Sequence, residues 1–130
     1  MIRIILVDIP RILLGLLFLV SGIDGLLLVF TGTNYINPPT SPAGLAFEHA
    51  LKVSGFFWPL MKSINLIGAV MLLSNRAPAL GVALLLPIIT VIIGFHIALN
   101  PGGMPVAVVL AVVTGMLLIA YRDRYAALLR

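Results

Sequence analysis

The sequence predicts an all-α integral membrane protein: an antiparallel four-helix bundle with both termini in the cytoplasm. Three observations carry this expectation. The 130 residues are 62% hydrophobic and only 9% charged, with mean hydropathy +1.22. A soluble domain carries about 25% charged residues, so these few charges cannot cover a water-facing surface. Four apolar stretches, Ile12–Thr31, Phe56–Ser74, Ala79–Leu99 and Met104–Tyr121, each approach the roughly 20 residues that a spanning helix needs and are parted by polar breaks. Six of the eight Lys and Arg fall on one side of the resulting weave: Arg3, Arg11, Arg76, Arg122, Arg124 and Arg130. Short cytoplasmic loops are enriched in these residues, which orients the chain. Lipid cannot satisfy open backbone groups, so the spans are helices. The Leu/Ile/Val runs also lack the alternation of strands.

The segment Met1–Ile9 is apolar apart from Arg3 and Asp8 and is expected along the cytoplasmic interface. Its basic start looks like a signal peptide. No small-x-small cleavage site follows, however, and the apolar run continues past Asp24 to Phe30, so retention as the first span is expected. Pro10 suits a first helical turn, and Thr31-Gly32-Thr33 ends the span. The long outer loop, residues 32–55, contains Asn37-Pro38-Pro39-Thr40, which excludes helix there. Ser41-Pro42 then reads as an N-cap followed by a first-turn proline. It opens a short amphipathic helix to Val53 that carries Glu48 and Lys52 at i,i+4 spacing.

The second span enters through Phe56, Phe57 and Trp58, residues suited to interfacial depth. The third begins at Pro78 and carries Pro87, where a kink is expected. Asn100-Pro101-Gly102-Gly103 is a turn. In the fourth span, Ala107, Ala111 and Gly115 form a small-residue stripe that allows close helix contact, as do Ser21 and Gly25 in the first. Tyr121-Arg122-Asp123-Arg124-Tyr125 is an interfacial anchor.

Ionisable groups inside spans are costly and default to functional candidates. At about 1.5 Å rise per residue, Asp24, Lys62 and Asn65 reach one level in the outer half of the membrane, with His96 slightly above. One acid, one base and one imidazole could thus share an outward-facing polar pocket, with Trp58, Phe57 and Phe95 beside it. The alternative is structural: Asp24 pairs with Lys62 across two helices, or Lys62 snorkels outward, and His96 is an interfacial hydrogen-bonding residue. The two readings stand side by side at this stage.

Several classes are disfavoured. The net charge of +4 flanks spans and forms no basic patch with exposed aromatics, so no nucleic-acid partner is expected. The absence of cysteine excludes disulfides, thiolate metal sites and Cys-attached haem. Two histidines with few carboxylates make a poor metal site. Neither a nucleophile elbow nor a phosphate or dinucleotide loop occurs, so no catalytic residue, metal or resident cofactor is expected beyond a bound quinone or lipid.

The stretch from Arg11 through Ser21-Gly22-Ile23-Asp24 resembles the opening of the DoxX-like family of small four-helix membrane proteins. Ala50 to Lys62 resembles that family's outer loop and second helix. Phe95-His96 to Pro105 is similar to its turn between the third and fourth helices, and Tyr121-Arg122-Asp123-Arg124 to its basic C-terminal end. The resemblance implies a bacterial cytoplasmic (inner) membrane protein linked with redox systems, including quinone-dependent oxidoreductases. The chain departs from the family pattern at Gly25, where a lysine is common, and at Asn65, where an acid is common.

Three functions follow as expectations. The first is an accessory subunit of a larger membrane redox or electron-transfer complex, motivated by small size and the small-residue stripes. The second is a quinone- or lipid-binding component of an oxidoreductase, with Asp24, Lys62, Asn65, His96, Trp58 and Phe95 as candidate ligand-binding residues. The third is a small-solute transporter or channel, which lacks the repeats and paired broken helices of known transporters.

Overall fold

The computed structural model describes residues 1–130 and is helical throughout, without a strand. The helices are α1 (Ile9–Thr31), α2 (Pro42–Val53), α3 (Phe57–Leu73), α4 (Pro78–Ala98), α5 (Met104–Ala120) and a short α6 (Arg122–Ala126). Three helical runs are long and apolar enough to cross a membrane: Ile4–Thr31, Pro78–Ala98 and Pro101–Ala120. A fourth results if α2 and α3, which meet at 93°, count as one span.

The N-terminal segment is helical and continuous with the first span: it runs into α1 through a π-helical turn at Ile4–Asp8 and packs against α5. Pro10 explains the turn. A proline has no N–H to donate and its ring crowds the preceding turn, so the helix widens just before it.

The long helices contact one another in a ring: α1 on α3, α3 on α4, α4 on α5, and α5 back on α1. Glycines set the closest approaches. A methyl group on Gly15 would meet Leu73, one on Gly22 would meet Leu66, and one on Gly25 would meet Lys62, all within 2.8 Å. As the α1 number rises the α3 number falls, so the two helices run antiparallel. Gly68 faces Leu85 and Gly81 faces Met71 in the same descending order, so α3 and α4 are antiparallel as well. Small residues remove side-chain bulk and bring backbones together, a device that suits an apolar medium where burial alone gives little.

The small-residue stripe expected in the last span is not part of this seam. Ala107 is buried, but Ala111 is exposed and Gly115 has nothing within 4 Å of an added methyl group. The inward face of α5 is Ala107, Leu110, Thr114, Leu117 and Tyr121, whose larger side chains fill the ring.

The core is concentrated at one end, with Ile89 of α4 and Leu110 of α5 extending it towards the middle. Leu14 and Phe18 open α1, Ala69 and Leu72 close α3, Ala79, Val82 and Leu85 open α4, and Val113, Leu117 and Tyr121 close α5. These positions all belong to the end that carries both termini. Arg11 is buried there, 8% exposed; it pairs with Asp8 at 3.6 Å and donates to the Leu72 carbonyl at the end of α3. Helix ends leave carbonyls without helical partners, and this guanidinium satisfies one. Tyr125 Oη donates to the Ala79 carbonyl at 2.7 Å, tying α6 to the start of α4.

At the opposite end lie α2 and the long loop that precedes it. Ser41 caps α2 by accepting from Gly44 N at 3.1 Å, as its sequence context predicts. The same hydroxyl donates to the Leu99 carbonyl, and Ser41 N donates to Asn100 Oδ1 at 3.1 Å. One residue therefore starts α2 and fastens it to the turn after α4.

Candidate functional site

The loop end is hollow where the terminal end is filled. A cavity of about 190 Å³ lies between α3, α4 and the underside of α2. Five of the six residues singled out from the sequence line it: Trp58, Lys62, Asn65, Phe95 and His96. The sixth, Asp24, lines an adjoining chamber of about 640 Å³ instead.

Asp24 and Lys62 do not form the ion pair that their charges suggest. Asp24 clasps the outer loop. Its Oδ1 accepts from Tyr35 N at 2.7 Å and Ile36 N at 3.2 Å, and its Oδ2 from Asn34 Nδ2 at 3.1 Å. Two backbone amides and one side-chain amide hold this carboxylate, so it needs no lysine.

Lys62 turns instead to Ser21 Oγ at 2.9 Å, with its ammonium 4.7 Å from the centre of the Trp58 ring. Its methylenes lie flat over Gly25, where an added methyl group would come within 2.3–2.4 Å of them. Trp58 is fixed by donating from Nε1 to the Gly25 carbonyl at 3.2 Å, and Lys52 sits 4.8 Å from the same ring. A cation over an indole face is a favourable electrostatic contact. Lys52 thus takes the indole as partner, and the expected Glu48–Lys52 ion pair does not form; the ion pairs present are Arg11–Asp8 and Arg122–Asp123.

Asn65 is 1% exposed, and its Oδ1 has no hydrogen-bond partner. Its Nδ2 reaches Ser21 Oγ only at 3.5 Å. A buried amide oxygen left unpaired costs about 1–3 kcal/mol, so a group that donates to it from the cavity would be stabilised there. His96 Nδ1 lies 3.3 Å from the Asn100 carbonyl. With Nδ1 protonated the ring donates to that carbonyl, and Nε2 remains an acceptor. The imidazole also sits against Gly103, where any side chain would strike it. The turn Asn100–Gly103 therefore shapes the site as well as reversing the chain.

The walls are apolar and aromatic. Phe95 meets Phe47 of α2 with ring centres 5.8 Å apart and His96 edge-on at 5.1 Å. Ile88 and Ile92 of α4 and Met61 of α3 complete the lining. Sequence reasoning missed four polar members, Ser21, Thr40, Glu48 and Asn100, which also line the cavity. Ser21 reads as a small packing residue, Thr40 as a loop residue, Glu48 as a surface charge and Asn100 as a turn residue. Only a fold that brings α1, α2 and the α4–α5 turn together reveals them.

Chemically the cavity offers one cation, one unpaired amide, an imidazole and a carboxylate within apolar walls. An engineered apolar cavity of about 150 Å³ admits a benzene ring, and drug-sized ligands need about 300–1,000 Å³. The volume here therefore suits a single substituted ring or a compact head group. No group of three or more His, Cys, Asp or Glu side chains is placed to hold a metal ion. Comparison with known proteins finds no matching family model, curated protein or solved structure.

Proposed function

We propose that this chain is a four-helix membrane protein, with both termini cytoplasmic, that binds the head group of a small apolar molecule in the cavity under α2. A quinone or a lipid is the class of ligand. The observation that carries the reading is Lys62, a cation with no carboxylate partner, beside the unpaired amide oxygen of Asn65 at an apolar, aromatic-walled cavity. A carbonyl or anionic oxygen would accept from Lys62, a hydroxyl would donate to Asn65, and Trp58 and Phe95 would cover a ring.

Purification in mild detergent, followed by mass spectrometry of extractable small molecules, tests the reading. The expected result is a stoichiometric ring-headed or lipid ligand. A hydrogen bond to a charged group contributes about 1.5–3 kcal/mol, so Lys62→Met should weaken its binding by roughly 10- to 150-fold. Wild-type protein that binds no such molecule would refute the proposal.

A second reading, an accessory subunit of a larger membrane redox complex, draws on the outward face of α5. Ala111 and Gly115 lie there among exposed Val108, Val112 and Ile119, and small residues on an outward face permit another helix to approach closely. Co-purification of a stoichiometric larger partner that is lost in Gly115→Leu would favour it.

A further inference from the structure

The second chamber is long rather than round. Leu13, Leu16, Leu17 and Val20 line it on α1, followed by Ser21 and Asp24. These positions recur at helical spacing along about 16 Å of helix at 1.5 Å per residue. Its lower part is wholly aliphatic, and these four residues are 39–49% exposed, so the groove is open on one side. Its upper part is polar, with Lys52, Lys62 and Glu48. The polar end carries Asp24, Asn34 and Asn37 as well, and an apolar trough ending in hydrogen-bonding groups of both charge signs matches the polarity of an amphiphile: one hydrocarbon chain and one polar head.

Ser21, Pro38, Thr40, Glu48, Trp58 and Lys62 belong to both chambers. Lys62 lies at their junction, its methylenes over Gly25 and its ammonium bonded to Ser21 and 4.7 Å from the centre of the Trp58 ring. A long flexible side chain that lies on a glycine moves aside at small cost, whereas a backbone or a β-branched wall would not.

Resting on the cavity reading above, we propose that the ligand carries a single long apolar chain, which lies in the α1 groove while its head enters the cavity past Lys62. The groove selects for one chain, and the cavity selects for a compact head.

Trp58 is the sole tryptophan of the chain and sits where the two chambers meet, so its fluorescence reports on both. The experiment titrates the purified protein with a methylated benzoquinone lacking a side chain, and with the same ring bearing a ten-carbon chain. A micelle is already apolar, so the chain gains contacts rather than escape from water, and roughly tenfold tighter binding is expected. Val20→Phe should fill the groove, abolish that advantage and leave the chainless ring unaffected; Leu17→Phe repeats the test should the first variant fold poorly. Micelle partitioning differs between the two compounds but is the same for every variant, so the chain advantage is read as the ratio of the two affinities in wild type against the same ratio in the variants.

Equal affinity for both compounds, or a chain advantage that survives both substitutions, would overturn the groove proposal while leaving the cavity reading intact. Failure of either compound to bind saturably would overturn the two together. A single-chain phospholipid of the same length that displaces the ring compound would support the groove and assign its natural occupant to lipid. Failure to displace it would support the groove for the ring compound.

Discussion

Asp24 holds one loop by three hydrogen bonds, so its loss should free the loop before it disturbs the helices. In Asp24→Ala the Tyr35 and Ile36 amides should exchange with solvent faster and the loop be cleaved sooner in limited proteolysis, with little change in Tm. Gly68→Ala should act in the opposite way. Its methyl group would come 2.5 Å from Leu85 in the core, and overpacking typically costs about 1–3 kcal/mol; thermal unfolding in detergent would show a lowered Tm. At this scale the sequence shows which residues are out of place, because a charge in an apolar run is conspicuous. It does not show their partners. Charge matching pairs Asp24 with Lys62, but the amides of residues 35 and 36 reach Asp24 first, and every loop residue carries such an amide. The unpaired oxygen of Asn65 is equally hidden, since only packing decides whether an amide finds its second partner.

Among the elements, α2 is defined by its first residue. Ser41→Ala removes the cap and the link to the Leu99 carbonyl together. A lost cap alone costs about 1 kcal/mol, and hydrogen exchange across Pro42–Val53 should accelerate relative to the other helices. The turn between α3 and α4 is strained at Ala77, whose φ is 52°. A left-handed conformation costs an alanine about 1–2 kcal/mol, so Ala77→Gly should raise Tm. At the C-terminal tail, burial pushes the Tyr125 hydroxyl up from 10.0 to about 12. The neutral phenol is the form that donates to Ala79. Its contribution is therefore complete below pH 10 and lost as the pH rises towards 12, when proteolysis at the α6 junction should speed up. The spans and the capped outer helix were legible in the sequence to within about three residues, a normal uncertainty for helix ends. The direction of the α5 stripe was not, because small residues at spacing four mark a face without saying what it faces.

For the molecule as a whole, the terminal end is filled and the loop end is hollow. Exchange should be slowest around Leu14, Leu72, Leu85 and Leu117, all fully buried or nearly so, and faster around the cavity. The proposed orientation is open to a simple check, because the chain has no cysteine. Ser54→Cys should react with an impermeant thiol reagent applied outside cells, and Ser74→Cys only after lysis; the reverse pattern would invert the topology.

The Arg11 contact with Leu72 spans 61 residues of sequence, and this separation becomes an interval of time during synthesis. At about 5–20 residues per second, Leu72 is made roughly 3–12 s after Arg11. Until then Asp8, one turn away, is the acid within reach of the guanidinium. The Asp8–Arg11 pair persists in the folded chain beside the Leu72 contact, so the guanidinium has one partner that is local and early and a second that is remote and late.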